Sequence, residues 1–274
     1  MSGFSADWLA LREVADRSAR SRLLIARLLA HFDSGATPRD DAQHGGAVRK
    51  LRITDLGCGT GATLRALDPY LPKDTQWRLV DADALLLAEA RRLLPPDLAI
   101  AFIKADLAAS LADILAEPAD IVTASALVDL VSLDWLERLL DLLPAGAALY
   151  LALTYDGREH WSPTHDAERL ALEAFHTHMR RDKGFGPALG AEAAETLVDV
   201  LQGRGWTVHS AKSPWELGPT EQALITALAD GSAAAVAETG RLDTATLGDW
   251  HVARRKASRV EIGHCDIFAT PPTG

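Results

Sequence analysis

The chain has 274 residues and a mass of 29.4 kDa, enough for one large α/β domain or two small ones. Hydrophobic residues make up 48% and charged residues 24%, the balance of a globular protein with a sizeable core and not of a disordered or fibrous chain. A formal net charge of −10 argues against a polyanion as main partner, since nucleic-acid binding needs a clustered basic surface.

Cys58 and Cys265 lie far apart and in no CxxC or Cys/His spacing, which argues against a disulfide framework and a structural zinc site. No apolar run approaches the ~20 residues that span a bilayer. The first residues, MSGFSADWLALRE, lack the basic start and apolar stretch of a signal peptide. The expectation is a cytoplasmic protein, monomer or homodimer, with a small-molecule partner and no nucleic acid, membrane or metal.

In chain order, residues 5–32 repeat apolar side chains at helical spacing (Trp8, Leu11, Ala15, Ala19, Leu23, Ala26, Leu29), with Arg12, Asp16, Arg20 and Arg27 off that stripe. This predicts one long helix or two short ones. Residues 35–49, rich in Gly, Asp and Pro, have no periodicity and read as a linker or loop, so residues 1–50 form an N-terminal helical cap and linker. From residue 51, β-type runs alternate with Ala/Leu-rich helical stretches: LRITDL, WRLVD, LAIAFIKAD, DIVTAS and AALYLALTY. Such alternation implies βαβ units and a parallel sheet covered on both faces.

After Tyr155 the rhythm breaks. Residues 156–190 are polar, carry His160, His165, His176 and His178, and end in the turn-rich DKGFGPALG. A helix over 191–202, a strand near 206–211, two helices over 220–256 split around Gly240, and a closing strand RVEIGHCDIF complete the chain. Residues 51–274 therefore read as a Rossmann-like, doubly wound α/β core with cap insertions at about 156–190 and 218–258.

The most informative stretch is ITDLGCGTGATLRAL, where a predicted strand runs into Gly57-Cys58-Gly59-Thr60-Gly61 and a helix starts at once. Glycines at a strand-to-helix turn permit positive φ and bare the helix N-terminus, which suits a nucleotide-like ligand. Asp81 ends the next strand twenty residues beyond Gly61, where a carboxylate accepts the hydrogens of a ribose diol. Asp106 ends the third strand, where a carboxylate can face an adenine amine or cap the following helix. Asp55 suits a cationic amine and repels a pyrophosphate.

On these residues the chain resembles a class I S-adenosylmethionine-dependent methyltransferase, of the bacterial small-molecule type, over residues 51–155, with 191–268 completing a seven-stranded sheet whose last strand is antiparallel. The resemblance implies that Asp55 with Gly57, Cys58, Gly59 and Gly61 holds the methionine part of the cofactor, Asp81 and Ala82 the ribose, and Asp106 and Leu107 the adenine. It implies that the segment Thr123 to Leu127, with Ala124 and Ser125, lines the methyl group and the acceptor, with S-adenosylhomocysteine as product; Asp129 is a further candidate on the acceptor side. Two other readings stay open. Gly57, Gly59 and Ala62 also fit G-x-G-x-x-G/A, the loop of an NAD(P)-dependent oxidoreductase, and a non-catalytic S-adenosylmethionine-binding protein would keep the same cleft.

The Asn/Asp-Pro-Pro-aromatic tetrapeptide of adenine and glutamine N-methyltransferases is absent from TASALVDLVS, so a metabolite-sized acceptor is expected. Trp8, Trp161, Trp215 and Trp250 either wall the pocket or pack small helices. The basic islands around Arg180 and at residues 251–256 either draw an anion or form a solvated helix face. If a base is used, Tyr155, His160 and His176 are candidates alongside His165 and His178. His176 and His178 point about 200° apart on a helix, so they do not form a paired metal site.

Overall fold

The computed structural model describes residues 4–33 and 50–272; the linker expected over 35–49 lies outside the described residues. The N-terminal segment forms two helices, α1 (Ala6–Ala19) and α2 (Arg22–Asp33). Ser5 caps α1 by accepting from the Trp8 N–H at 3.1 Å, the stabilising arrangement for a helix start. The chain turns out of helical geometry at Arg20, with ψ of 133°.

The core continues as β1 (Arg52–Leu56), α3 (Ala62–Leu67), β2 (Gln76–Asp81), α4 (Ala84–Leu93), β3 (Ala99–Lys104), α5 (Leu111–Leu115), β4 (Ile121–Ser125), α6 (Leu133–Leu142) and β5 (Ala148–Ser162). Then come α7 (Glu168–Met179), α8 (Ala193–Gly203), β6 (Thr207–Lys212), β7 (Trp215–Leu217), α9 (Gln222–Ala237), α10 (Thr244–Arg255) and β8 (Arg259–Thr270). The sheet order is β3-β2-β1-β4-β5-β8-β6, with β7 paired to β8 off this path. β1 to β5 run parallel, and β8 is antiparallel to both β5 and β6. The order reverses between β1 and β4, which places a ligand crevice at their carboxyl ends.

Both faces of the sheet are covered. Leu111 and Ile114 of α5, Trp135 and Leu139 of α6 and Leu197 and Leu201 of α8 pack on one face. Leu24 and Leu28 of α2, Leu64 of α3 and Leu87 and Ala90 of α4 pack on the other. This is why the central strands read as unbroken apolar runs instead of alternating ones.

Two differences from the sequence expectation concern the far end of the sheet. The short β7 adds an eighth strand, and β5 does not stop at Tyr155: it stays paired to β8 as far as Ser162 opposite Arg259. The first part of the expected insertion is therefore strand. Register breaks between Leu151 and Thr154 and between Tyr155 and Glu159, with Leu153 and Gly157 at positive φ, interrupt the two-residue period and hide the strand from a periodicity reading.

The extension of β5, β7 and β8 carries the cap. Tyr155, Trp161, Trp215, Ile225, Val260 and Ile262 form its core. Arg254, 2% exposed, lies between the rings of Trp161 (4.1 Å) and Trp250 (4.3 Å) and pairs with Glu159 at 2.8 Å and with Glu168. Two ring faces and two carboxylates offset the desolvation of the guanidinium. Trp161 and Trp250 donate their indole N–H groups to the same two carboxylates, each at 2.8 Å, so both tryptophans are cap interior.

Asp266, fully buried in β8, joins the layers. Its Oδ2 accepts from the Ser21 N–H between α1 and α2 (2.8 Å), and its Oδ1 accepts from the Leu153 N–H at the β5 bulge (2.9 Å) and from Ser213 Oγ between β6 and β7 (2.7 Å). Asp266→Ala leaves these donors buried and unpaired, so it is expected to cost about 3 kcal/mol or more of stability. Urea unfolding measures this directly, and a loss below about 1 kcal/mol would show that the joint does not depend on the carboxylate.

Candidate active site

The loop after β1 is built from glycines with left-handed backbones: Gly57 at φ 64°, Gly59 at 52° and Gly61 at 81°. The Cys58 N–H donates to the Val80 carbonyl at 3.0 Å, tying the loop to β2. A Cβ at Gly59 would stand 2.9 Å from Leu9 Cδ1. Glycine is thus needed here for the close approach of α1 as well as for the turn. Glu13 of α1 accepts from Arg65 of α3 at 2.7 and 2.8 Å, and Arg65 also donates to the Thr60 carbonyl at 2.5 Å. α1 is the roof of the glycine loop.

The roof buries a charged stripe that the sequence expectation left off its inner face, beside Trp8, Ala15 and Ala19 of the apolar one. Arg12, Asp16 and Arg20 are buried, whereas Leu11 and Val14 are exposed, Val14 by 60%. The charged stripe can face inward because its members find partners there. Arg12 donates to Asp16 at 2.9 and 3.0 Å, the Trp215 indole donates to Asp16 at 3.1 Å, and the Arg12 guanidinium lies 4.9 Å over the Trp215 ring. Arg20 donates to Ser125 Oγ at 2.8 Å and Thr63 Oγ1 at 3.4 Å, while its Nε and Nη1 are buried with no partner.

Beside Arg20 lies Asp55, fully buried, with neither carboxylate oxygen hydrogen-bonded. Burial pushes its carboxyl up to about 8; the Arg20 charge pulls it down, the Asp81 charge adds to the rise, and the nearby Thr63 hydroxyl, beyond hydrogen-bonding distance, lowers it slightly. A carboxylate with free oxygens next to a guanidinium with free N–H groups is complementary to the ammonium and carboxylate of an α-amino acid. Asp81 accepts from the Gly59 N–H at 2.8 Å and the Asp83 N–H at 2.9 Å; burial raises its carboxyl, and those two bonds lower it. It joins the end of β2 to the glycine loop, and Ala82 beside it is exposed.

Asp106 is exposed and accepts from the Ala108 N–H at 2.9 Å, so it caps its own turn. Leu107 and Leu127 are buried against the loop, 3.9 and 3.6 Å from where a Gly57 Cβ would be. Ala124 is buried opposite Leu56. Burial, then Asp55 and Asp81, raise the Cys58 thiol well above its usual range, which keeps it protonated and unreactive.

At the end of β4, Ser125 shares a 2.9 Å hydrogen bond with Thr63, and Ala126 turns through a positive φ of 50°. Asp129 comes next along the turn, buried, with Oδ1 unpartnered. Tyr155 bonds through its hydroxyl to His176 Nε2 at 3.0 Å and Glu159 at 3.1 Å. The remaining predicted residues stand elsewhere: His160 is exposed, Trp161 is in the cap core, and Arg180 pairs with Glu192 at the surface. Members of the basic islands pair within the cap, His178 and Arg181 with Glu238 and Arg255 with Asp230. Sequence reading missed Arg12, Arg20 and His264; the four-residue spacing of Arg12, Asp16 and Arg20 was the available signal.

Residues 53–144, about a third of the chain, match the family model of a methyltransferase domain. The matched segment runs from β1 to just past α6. A cyclopropane-fatty-acyl-phospholipid synthase-like protein from Lactobacillus casei has the same fold at 14% identity and a TM-score of 0.53, over 95% of this chain and 99% of that one. S-adenosylmethionine-dependent methyltransferases crystallised with S-adenosyl-L-homocysteine are also similar. That from Thiobacillus denitrificans gives 12% identity and 0.47, and that from Geobacter sulfurreducens 13% and 0.47, each over 98% of this chain and 99% of the other. No curated protein matches the chain in sequence. Among the described residues, no helix is long and apolar enough to cross a membrane, and no group of three or more His, Cys, Asp or Glu is placed to hold a metal ion.

The core keeps Asp55 at a cost. A carboxyl whose folded pKa stands near 8 against 3.8 contributes stability that is complete below about pH 4 and is lost as pH rises through about 8. Without cofactor, Asp55→Asn is expected to melt above the wild type at pH 8, with the difference shrinking toward pH 4. Melting curves across that range check it, and a variant melting at or below the wild type at pH 8 would refute the burial penalty.

Proposed function

We propose that the protein transfers a methyl group from S-adenosylmethionine to a small-molecule acceptor held between α1 and the cap. The observation that carries the reading is the pairing of Asp55, with two free buried oxygens, and Arg20, with two free buried nitrogens, next to a left-handed glycine loop. Asp55 would receive the cofactor's ammonium and Arg20 its carboxylate. Asp81 would take the ribose hydroxyls with Ala82 alongside, and Asp106 with Leu107 the adenine. Gly57, Cys58, Gly59 and Gly61 would offer backbone, and Ala124 a close wall. When bound, the cofactor supplies a methyl group activated by its sulfonium.

The residues of this chain then have one main task, alignment of the acceptor, for which effective molarities reach about 10⁵ M or more. The roof formed by α1 and the cap at the β4 and β5 ends favours a metabolite-sized acceptor. Asp55 also speaks against a dinucleotide, whose pyrophosphate its ionised form would repel. The antiparallel β8 stands where a second nucleotide-binding half would need a parallel strand.

Calorimetric titration with S-adenosylmethionine, S-adenosylhomocysteine, NAD and NADP tests this, with micromolar binding of the first two alone as the expected result. Dinucleotide binding alone would overturn it. Asp81→Ala should weaken S-adenosylhomocysteine by about tenfold or more, and unchanged affinity in the folded variant would remove the ribose role. Arg20→Met should weaken S-adenosylhomocysteine to a similar extent but leave 5′-methylthioadenosine, which lacks the amino-acid end, unchanged; equal losses for both would remove the carboxylate role.

A further inference from the structure

Around Arg12 three buried polar atoms have no partner in the protein: Trp8 Nε1, Asp129 Oδ1 and His264 Nδ1. The first is a donor, the second an acceptor, and the third either, according to tautomer. Asp129 and His264 are 8% and 5% exposed. Buried polar groups are nearly always paired in folded proteins. Three unpaired ones from α1, the turn after β4 and β8, gathered about a single guanidinium, point to a ligand.

Their juxtaposition rests on a chain of contacts. His264 is the cross-strand neighbour of Tyr155, with ring centroids 6.3 Å apart. The Trp215 ring lies 4.9 Å from His264, and Arg12 lies over Trp215. Trp8, one helical turn before Arg12, packs on the cluster that contains Tyr155, Trp215 and Ile262. Asp129 feels the charge of Arg12 and receives the Tyr155 backbone N–H. Leu127, two residues before Asp129, rests against the glycine loop, so the group lies on the cofactor side of the roof.

Charge selects the ligand class. Arg12 is already bidentate to Asp16. Burial, assisted by Arg12, pushes His264 down to about 3, against the pull of Asp156 and the Ile262 backbone, so its ring is neutral. Burial raises Asp129 to about 6, which leaves it a carboxylate at neutral pH. One guanidinium faces two carboxylates, so an anionic ligand would meet net repulsion, whereas a neutral molecule offering a hydrogen to Asp129 would be held by a charge-assisted bond.

We propose that Trp8, Asp129 and His264 form the acceptor subsite, which takes an uncharged hydroxyl or N–H compound whose hydrogen is accepted by Asp129 and whose second polar atom is met by Trp8 or His264. This rests on the methyltransferase reading above, and its test separates the two. Phenol, 2-pyridone, anisole and benzoate are titrated into the full chain, with and without saturating S-adenosylhomocysteine, and followed by ligand-observed NMR.

Phenol and 2-pyridone are expected to bind the wild type, with anisole and benzoate weaker by about fivefold or more. Trp8→Phe, Asp129→Asn and His264→Phe should each lose about fivefold or more for phenol and 2-pyridone. His264→Phe, which removes an unpaired polar atom at nearly constant shape, should melt at or above the wild type without ligand, whereas a structural histidine would leave the variant melting lower.

The proposal falls if phenol does not bind in either condition, or if benzoate or anisole binds as tightly as phenol. It falls equally if the three variants keep wild-type affinity, or if His264→Phe melts below the wild type. Failure of S-adenosylhomocysteine to bind, with the phenol pattern intact, would instead overturn the methyltransferase reading and leave the subsite standing.

Discussion

The carboxylate of Asp266 is the point on which this architecture turns. It lies in the last strand to be made, fully buried, and it receives donors from the α1–α2 junction, the β5 bulge and the β6–β7 connection. Three segments widely separated in sequence thereby share one anion. The donors are a backbone N–H beside Arg20, a backbone N–H at a left-handed residue, and a hydroxyl, none of which has a regular secondary-structure partner to fall back on. Through Ser21 this joint sets where α1 leaves α2, and so fixes Arg20 over Asp55 and Arg12 over Trp215.

With that joint in place, the buried polar groups divide into two kinds. In the cap, Arg254, Glu159, Glu168, Trp161 and Trp250 satisfy one another. Such a network rigidifies its surroundings because every member is paired. Under α1 the opposite holds: Asp55, Arg20, Asp129, His264 and Trp8 keep free polar atoms in the interior. These free atoms lie where glycine loop, strand ends and roof converge, which is where a methyl donor and its acceptor would restore the missing partners.

Much of this was legible in the sequence because it is encoded locally. The alternation of strands and helices, the glycine turn, and the carboxylates at the ends of β1, β2 and β3 each depend on a few adjacent residues and on spacing within one βαβ unit. The extension of β5 was hidden because Asp156, Gly157 and Arg158 form the bulge and break the alternation, although Trp161 beyond it packs in the same cap core as Tyr155. The orientation of α1 was hidden for a different reason. Its sequence offers two stripes, one apolar and one charged, and burial of the charged one is favourable only because Trp215 and its own Asp16 complete the hydrogen bonds of Arg12.

The sequence by itself determined the doubly wound core and the glycine loop, because strand periodicity and glycine geometry act over short distances, while the antiparallel final strand followed from the family resemblance. Tertiary structure alone decided which face of α1 meets the glycine loop and which histidines are buried. His176 was expected from its place in a polar segment and is tied to Tyr155, while His264, inside an ordinary-looking strand, came to face Arg12, Trp215 and Tyr155. Whether a polar side chain is paired or left free depends on neighbours one to two hundred residues away, and only the folded chain brings them within reach.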